Sequence, residues 1–206
     1  MGFDYLRDPA AIYAESFRQV RAVTDLSGLP PDMHGIALRL VHAIGDPSLV
    51  ADLRWSKSAA NAARSALKSG ALVYADCEMV AAGITRARLP AQNPVQCTLN
   101  GPEGPIRAKA LGTTRSAAAV EDWHTEGAVI AIGNAPTALF HLLERLENGA
   151  PAPACILGFC VGFVGAAEAK QALIESGYPF IALSGRRGGS ALAAAAVNAL
   201  ASDKEA

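Results

Sequence analysis

From residue 71 onward the chain repeats one pattern, and that pattern leaves few folds open. A short apolar run gives way to a turn and then to a helical stretch, and the five runs are ALVYAD, PVQCTL, AVIAIG, ACILGFCVG and FIALSG. Strands that are apolar at nearly every position are buried on both faces, and crossover helices are what cover both faces of a parallel sheet. Helices are accordingly predicted over 78–83, 114–123, 137–147, 165–176 and 189–201.

The first third reads as helical. In DPAAIYAESFRQVRAV, Asp8 is placed to cap a helix with Pro9 at its first position, and Ile12, Phe17, Val20 and Val23 share a face. Asp32 is expected to cap a second helix that stops at Gly45, and a third runs through SKSAANAARSALKSG to Gly70. The fold class is therefore α/β: a three-layer sandwich around a five-stranded, mostly parallel, doubly wound sheet of flavodoxin-like type, with an α-helical N-terminal section. One domain is expected over 1–201, with 100–105 a surface excursion and 202–206 a disordered tail. A chain of 206 residues that is 51% hydrophobic can bury a core of that size.

Charge and composition narrow the partners. Net charge is −1 and the basic residues are scattered, so no broad positive face exists for nucleic acid or an anionic membrane. The N-terminus lacks the basic start and apolar run of an export signal, and no apolar stretch is long enough to span a bilayer, so a cytoplasmic location is expected. Cys77, Cys97, Cys155 and Cys160 show no CxxC spacing, and the four histidines form no HExxH; free thiols and no protein-bound metal are expected.

Four turns share one construction: GTTRSAA (112–118), GNAPTAL (133–139), GFVGAAE (162–168) and GRRGGSA (185–191) each lead into a helix. The first amides of a helix lack internal partners and carry its positive dipole end, so each turn is a candidate cradle for an anion. Glycine spacing in GFCVGFVG departs from the dinucleotide fingerprint, and no glycine is followed by lysine as a P-loop requires. One ligand with many carboxylates suits several such sites, reinforced by Arg115, Arg186, Arg187 and the Thr85–Arg88 run. His42, four residues after Leu38, is expected to point inward, as either a core histidine or a general acid. Asp76 and Glu78 flank Cys77 at the end of the first run, where a carboxylate can orient a ligand or cap the next helix, with the cap preferred.

Together these residues resemble the precorrin-8X methylmutase family. The likeness runs through YLRDPAAIYAESF, RLVHAIGD, ADCEMVAAGITRARLP, TTRSAAA, VIAIGNAPTALFHLLE, ILGFCVGFVGAAEAK and GRRGGSALAAAAVNAL. The resemblance implies a cofactor-independent isomerase that moves a methyl group from carbon 11 to carbon 12 of a tetrapyrrole, precorrin-8X, by a 1,5-sigmatropic shift. It implies that His42 is the catalytic acid. Substrate-binding positions carry over to Thr85, Arg86, Arg115, Ser116, to Gly133, Asn134, Ala135, Pro136 and Thr137, and to Arg186, Gly188, Gly189 and Ser190. A homodimer with its site at the subunit interface is implied too. A cobalt-containing substrate and a non-catalytic tetrapyrrole carrier are the alternatives.

Overall fold

The computed structural model describes residues 2–202. Helix α1 (Pro9–Val23) opens as its sequence predicts, with the Asp8 carboxylate accepting the Ala11 amide at 2.7 Å. Helix α2 (Pro31–Ile44) starts earlier than expected: Pro30 precedes it, and Asp32 lies inside the first turn without a capping bond. Proline at the first helical position has no amide to orphan, so α2 begins without a side-chain cap, and Asp32 still meets the positive end of the helix dipole. A 3₁₀ turn (Pro47–Asp52), strand β1 (Leu53–Trp55) and α3 (Ala59–Lys68) complete the N-terminal section.

The remaining strands are β2 (Val73–Ala75), β3 (Val95–Gln96), β4 (Val129–Ile132), β5 (Cys155–Gly158) and β6 (Phe180–Leu183). Between and after them run α4 (Glu78–Gly83), α5 (Gly104–Leu111), α6 (Arg115–Ala119), α7 (Pro136–Glu147), α8 (Ala166–Glu175) and α9 (Ser190–Leu200). The sheet order is β1-β6-β5-β4-β2-β3, with β1 antiparallel to β6 and the other pairs parallel. Taken alone, the five parallel strands have the flavodoxin order.

Two departures from the sequence-based expectation concern the edges. The sheet has a sixth strand because Leu53–Trp55 adds antiparallel to β6, and only one of its three residues is buried, so it carries no apolar run. Residues 104–111, the first two within the expected surface excursion over 100–105 and the rest assigned to no element, form α5, with Pro105 in the first turn. The expected tail beyond Ser202 lies outside the described residues.

Strand residues alternate between two cores. Val129 and Ala131 of β4 and Cys155 and Leu157 of β5 face α2, α3, α4 and α9, where Leu40, Ala63, Val80 and Val197 are buried. Ile130, Ile132 and Ile156 face the other way, onto Leu139 and Leu142 of α7 and Leu173 of α8. Continuous apolar runs in the sequence are the result of this two-sided burial. Small residues let α9 lie close to its neighbours: a Cβ added at Gly83 in α4 would come 2.7 Å from the Ala194 Cβ. Because β2, β4, β5 and β6 are parallel, the turns after them share one rim of the sheet. The 3₁₀ turn before antiparallel β1 reaches the same rim.

Candidate active site

The chain leaves β2 outward to β3 and then returns to β4, so the crevice between the carboxyl ends of β2 and β4 is the topological switch point where ligands of such sheets bind. Asp76 sits there, buried. Its Oδ1 accepts the Gly133 amide at 2.9 Å, and its Oδ2 accepts those of Asn134 and Ala135 at 2.8 and 2.7 Å. Burial pushes the Asp76 carboxyl above its usual range, and the three amide donors oppose that shift. The preferred role as a cap for α4 is therefore corrected: Cys77 precedes that helix without a capping bond, and Asp76 braces the neighbouring turn. Those three amides are spent inside the protein, so the GNAPT turn offers a ligand the exposed Asn134 and Thr137, while Ala135 is buried and Pro136 half-buried.

Neighbouring turns meet around this point. Thr137 Oγ1 lies 2.8 Å from Thr114 Oγ1, which also caps α6 by accepting the Ala117 amide. That contact brings exposed Arg115 and half-buried Ser116 beside the start of α7. Gly133 has no room for a side chain, since a Cβ would come 2.7 Å from the Ser190 Cα, and Cys77 Sγ lies 3.3 Å from Ser190 Oγ. Gly188 is pressed on the backbone of the turn after β5, where a Cβ would stand 2.2 Å from the Phe159 carbonyl oxygen. Gly189 adopts φ +133 and donates its amide to that same oxygen at 2.7 Å.

The two arginines of GRRGGS part company. Arg186 is exposed, its guanidinium 5.4 Å from the centroid of the exposed Phe163 ring. Arg187, expected to reinforce an anion cradle, is engaged within the fold: it donates to Asp52, to Asp46 at 2.9 Å, and to the hydroxyl and carbonyl of Ser48 at 2.9 and 3.2 Å. Its own carbonyl accepts from buried Lys170 at 2.5 Å. Desolvation holds the Lys170 ammonium below the ordinary lysine range. The result is a strut from the turn after β6 to the segment that leaves α2.

His42 occupies the last turn of α2 and is exposed, where an inward orientation was expected. Leu38, one turn earlier, is fully buried, but helix α1 meets His42 only along one side. The Phe17 ring stacks on the imidazole with centroids 4.7 Å apart and planes at 24°, and Ser16 Oγ lies 3.0 Å from Nδ1. Nε2 has no hydrogen-bond partner among the described residues. His42 lines two adjoining pockets of about 280 and about 300 Å3. The first is walled by Arg39 and Ala43 of α2, Gly83, and Ala191, Ala194, Ala195 and Asn198 of α9. Asn198 accepts the Thr85 amide at 2.8 Å and donates to the Gly83 carbonyl at 2.9 Å, so exposed Thr85 and Arg86 enter beside the same helix. A cavity of about 620 Å3 between the end of α1 and β1 contains none of the predicted site residues.

Sequence reasoning passed over Asp76 as a turn brace, Ser16 as the partner of His42, and Arg39. Arg39 alone had a visible signal, a charge inside the apolar stretch IALRLVHAI. No group of three or more metal-ligating side chains occurs among the described residues.

Fold and site define a flavodoxin-like α/β protein whose carboxyl rim gathers exposed arginines and polar turns, with an oriented imidazole beside α9. Comparison narrows that class. The family model described as precorrin-8X methylmutase matches residues 11–203. A protein named precorrin-8X methylmutase from Pseudomonas aeruginosa is 56% identical over 98% of this chain and 99% of its own. One named cobalt-precorrin-8 methylmutase, from Methanothermobacter thermautotrophicus, is 36% identical over 88% of this chain and 87% of its own. The crystal structure of a precorrin-8X methylmutase from Thermus thermophilus superposes with a TM-score of 0.86 at 41% identity, covering 93% of this chain and 94% of that one. The chain belongs to the precorrin-8X methylmutase family.

Proposed function

We propose that this protein catalyses the shift of a methyl group from carbon 11 to carbon 12 of precorrin-8X, with His42 as the acid. The observation that carries the proposal is the state of His42: an exposed imidazole fixed by Phe17 on one face and Ser16 at Nδ1, lining two pockets and with no hydrogen-bond partner at Nε2 among the described residues. As the acid the ring is the imidazolium: Nδ1–H donates to Ser16 Oγ, Nε2–H faces the substrate, and transfer of that proton leaves a neutral ring with its remaining proton on Nδ1. Protonating a ring nitrogen draws electron density from the migrating centre and eases the shift. Positioned proton transfer of this kind contributes about 10²–10⁴-fold.

Substrate carboxylates are assigned to Arg86, Arg115 and Arg186, with Thr85, Ser116, Asn134, Thr137 and Ser190 as polar contacts and Gly133, Ala135, Pro136, Gly188 and Gly189 shaping the turns. Binding energy gathered at those remote groups holds the macrocycle against the acid. The metal-free substrate is favoured because the relative named for it is 56% identical, against 36% for the one named for the cobalt form.

A homodimer is proposed as well. Phe3, Tyr5 and Leu6 near the N-terminus and Phe163 and Val164 in the turn after β5 are more than half exposed, and a partner subunit would cover such apolar side chains. Four unpaired cysteines suit the reducing cytoplasm.

The test is incubation of the purified protein with metal-free and cobalt-containing precorrin-8, followed by visible spectroscopy. The metal-free compound is expected to be converted, and His42→Ala to bind product while losing turnover by about 10²-fold or more. Full activity of that variant would remove His42 from the mechanism. Binding without conversion by the parent protein would make it a carrier.

A further inference from the structure

The Arg187 guanidinium places all five of its N–H groups on one short segment, the one that follows helix α2. Nε and Nη2 both donate to Asp52 Oδ2, Nη1 donates to Asp46 Oδ2 and to Ser48 Oγ at 2.9 Å each, and Nη2 also reaches the Ser48 carbonyl at 3.2 Å. No N–H remains for a substrate carboxylate. The backbone around the same residue is tied the other way, to the turn after β5 and to α8. Fully buried Lys170 donates to the Arg187 carbonyl at 2.5 Å, the Gly162 amide donates to the Arg186 carbonyl at 3.4 Å, and the Gly189 amide donates to the Phe159 carbonyl at 2.7 Å.

Both ends of this link abut a pocket that His42 lines. On one side, Gly45 closes α2 in the left-handed conformation, φ +68, with its amide on the Val41 carbonyl at 2.8 Å, and Asp46 follows directly. Asp46 is itself fixed, since Oδ1 accepts the Ser48 amide at 2.9 Å while Oδ2 takes Arg187. On the other side, Ser190 ends the GRRGGS turn, and the next residue, Ala191, walls the same pocket as His42. Arg187 thus spans the gap between the helix end that carries the imidazole and the turn that carries Arg186 and Ser190. The side chains of Arg187, Asp46 and Asp52 are 39, 42 and 35% exposed. Ion pairs so open to water contribute about 0–1 kcal/mol, and what the planar fork supplies is geometry more than stability.

We infer that Arg187 is a positioning residue for the methyl shift, which holds the end of α2, and with it His42, in register with the GRRGGS turn. The inference rests on the methylmutase reading above and gives Arg187 a role that reading leaves unassigned: it touches no substrate and acts through the groups on either side. A proton donor must stand about 2.6–3.2 Å from the atom it protonates, and a displacement of about 1 Å costs about 100-fold in rate. Without the Arg187 side chain, the end of α2 and the turn after β6 lose five hydrogen bonds between them. Ser184 still donates its amide to the Asp52 carbonyl at 2.8 Å, and β1 stays paired with β6. The fold survives while the register loosens.

The experiment separates rate from affinity in Arg187→Met, Arg187→Lys and Asp46→Asn, at a temperature well below each variant's thermal midpoint. Conversion of precorrin-8 gives kcat, and spectral titration with hydrogenobyrinate, the corrin product, gives affinity. Arg187→Met is expected to lose about 10–100-fold in kcat and to bind hydrogenobyrinate within about threefold of the parent. Arg187→Lys should recover part of that loss, because an ammonium reaches one of the two carboxylates but cannot span both. Asp46→Asn is expected to lower kcat in the same direction, and Arg187→Met added to it should lower kcat by less than it does in the parent, as for groups that act together. Asp46 is half-buried, so its variant keeps the test open should Arg187→Met fold poorly. A purely structural link would lower the midpoint and leave the kcat of the folded protein at the parent value; that result, or a loss of affinity as large as the loss of rate, would overturn the inference. A parent protein that does not convert precorrin-8 would instead sink the methylmutase reading on which it rests.

Discussion

Replacing Asp76 with asparagine tests how the switch point is held. The side chain keeps its shape, but one of its two oxygens becomes an NH2 donor. In the better of the two orientations the remaining oxygen faces the Asn134 and Ala135 amides, and the new donor faces the Gly133 amide. One buried N–H is then stranded, at about 1–3 kcal/mol, and two charge-assisted bonds become neutral ones, at about 0.5–1 kcal/mol each. Relief from burying a charge returns part of that, and a net loss of about 2–4 kcal/mol remains. For a chain of this length each kcal/mol moves the midpoint by about 2–4 °C, so a fall of about 5–15 °C is expected. Thermal unfolding followed by circular dichroism, with urea titration at constant slope as the check, measures it. Asp76→Ala strands all three amides and should lose more. A midpoint within about 2 °C of the parent for both variants would show that the carboxylate does not hold the turn.

Two further outcomes follow from the geometry. Gly188→Ala forces a Cβ to 2.2 Å from one backbone oxygen and 2.5 Å from the next, so the turn must move; a loss of about 1–3 kcal/mol or more in urea titration is expected, and parent-like stability would contradict the packing. Burial pushes the Cys155 thiol up to about 12 and that of Cys160 to about 11, from an ordinary 9.0, which leaves each about 100-fold or more short of thiolate. Mass spectrometry after iodoacetamide at pH 8 should find both unlabelled until denaturant is added, and rapid native labelling would contradict their burial.

Strands β4, β5 and β6 were legible because every residue in them is buried, which writes an unbroken apolar run into the sequence. Strand β1 was not, because its three residues alternate in exposure and its hydrogen bonds go to β6, more than a hundred positions away. Helix α5 hid behind GPEGP, whose prolines read as a turn although Pro105 is harmless in the first turn of a helix. The glycine turns announced themselves as helix starts, yet whether their amides are free depends on what reaches them from another strand. Asp76 reaches Gly133 across 57 positions, and no local pattern encodes that. Spacing placed His42 on the flank of Leu38 but could not say that α1 covers only one side of it. Arg39 was visible as a charge among apolar neighbours, and its lack of an acidic partner emerges only from packing.

Helix α9 closes the wall of the pocket that holds His42 and Arg39, although those residues lie on α2. During synthesis the ribosome therefore releases His42 and Arg39 long before the surface opposite them exists. A nascent or prematurely terminated chain lacking Ser190–Leu200 carries His42 but lacks the α9 wall of its pocket. The pocket is completed last, by one alanine-rich segment near the end of the chain.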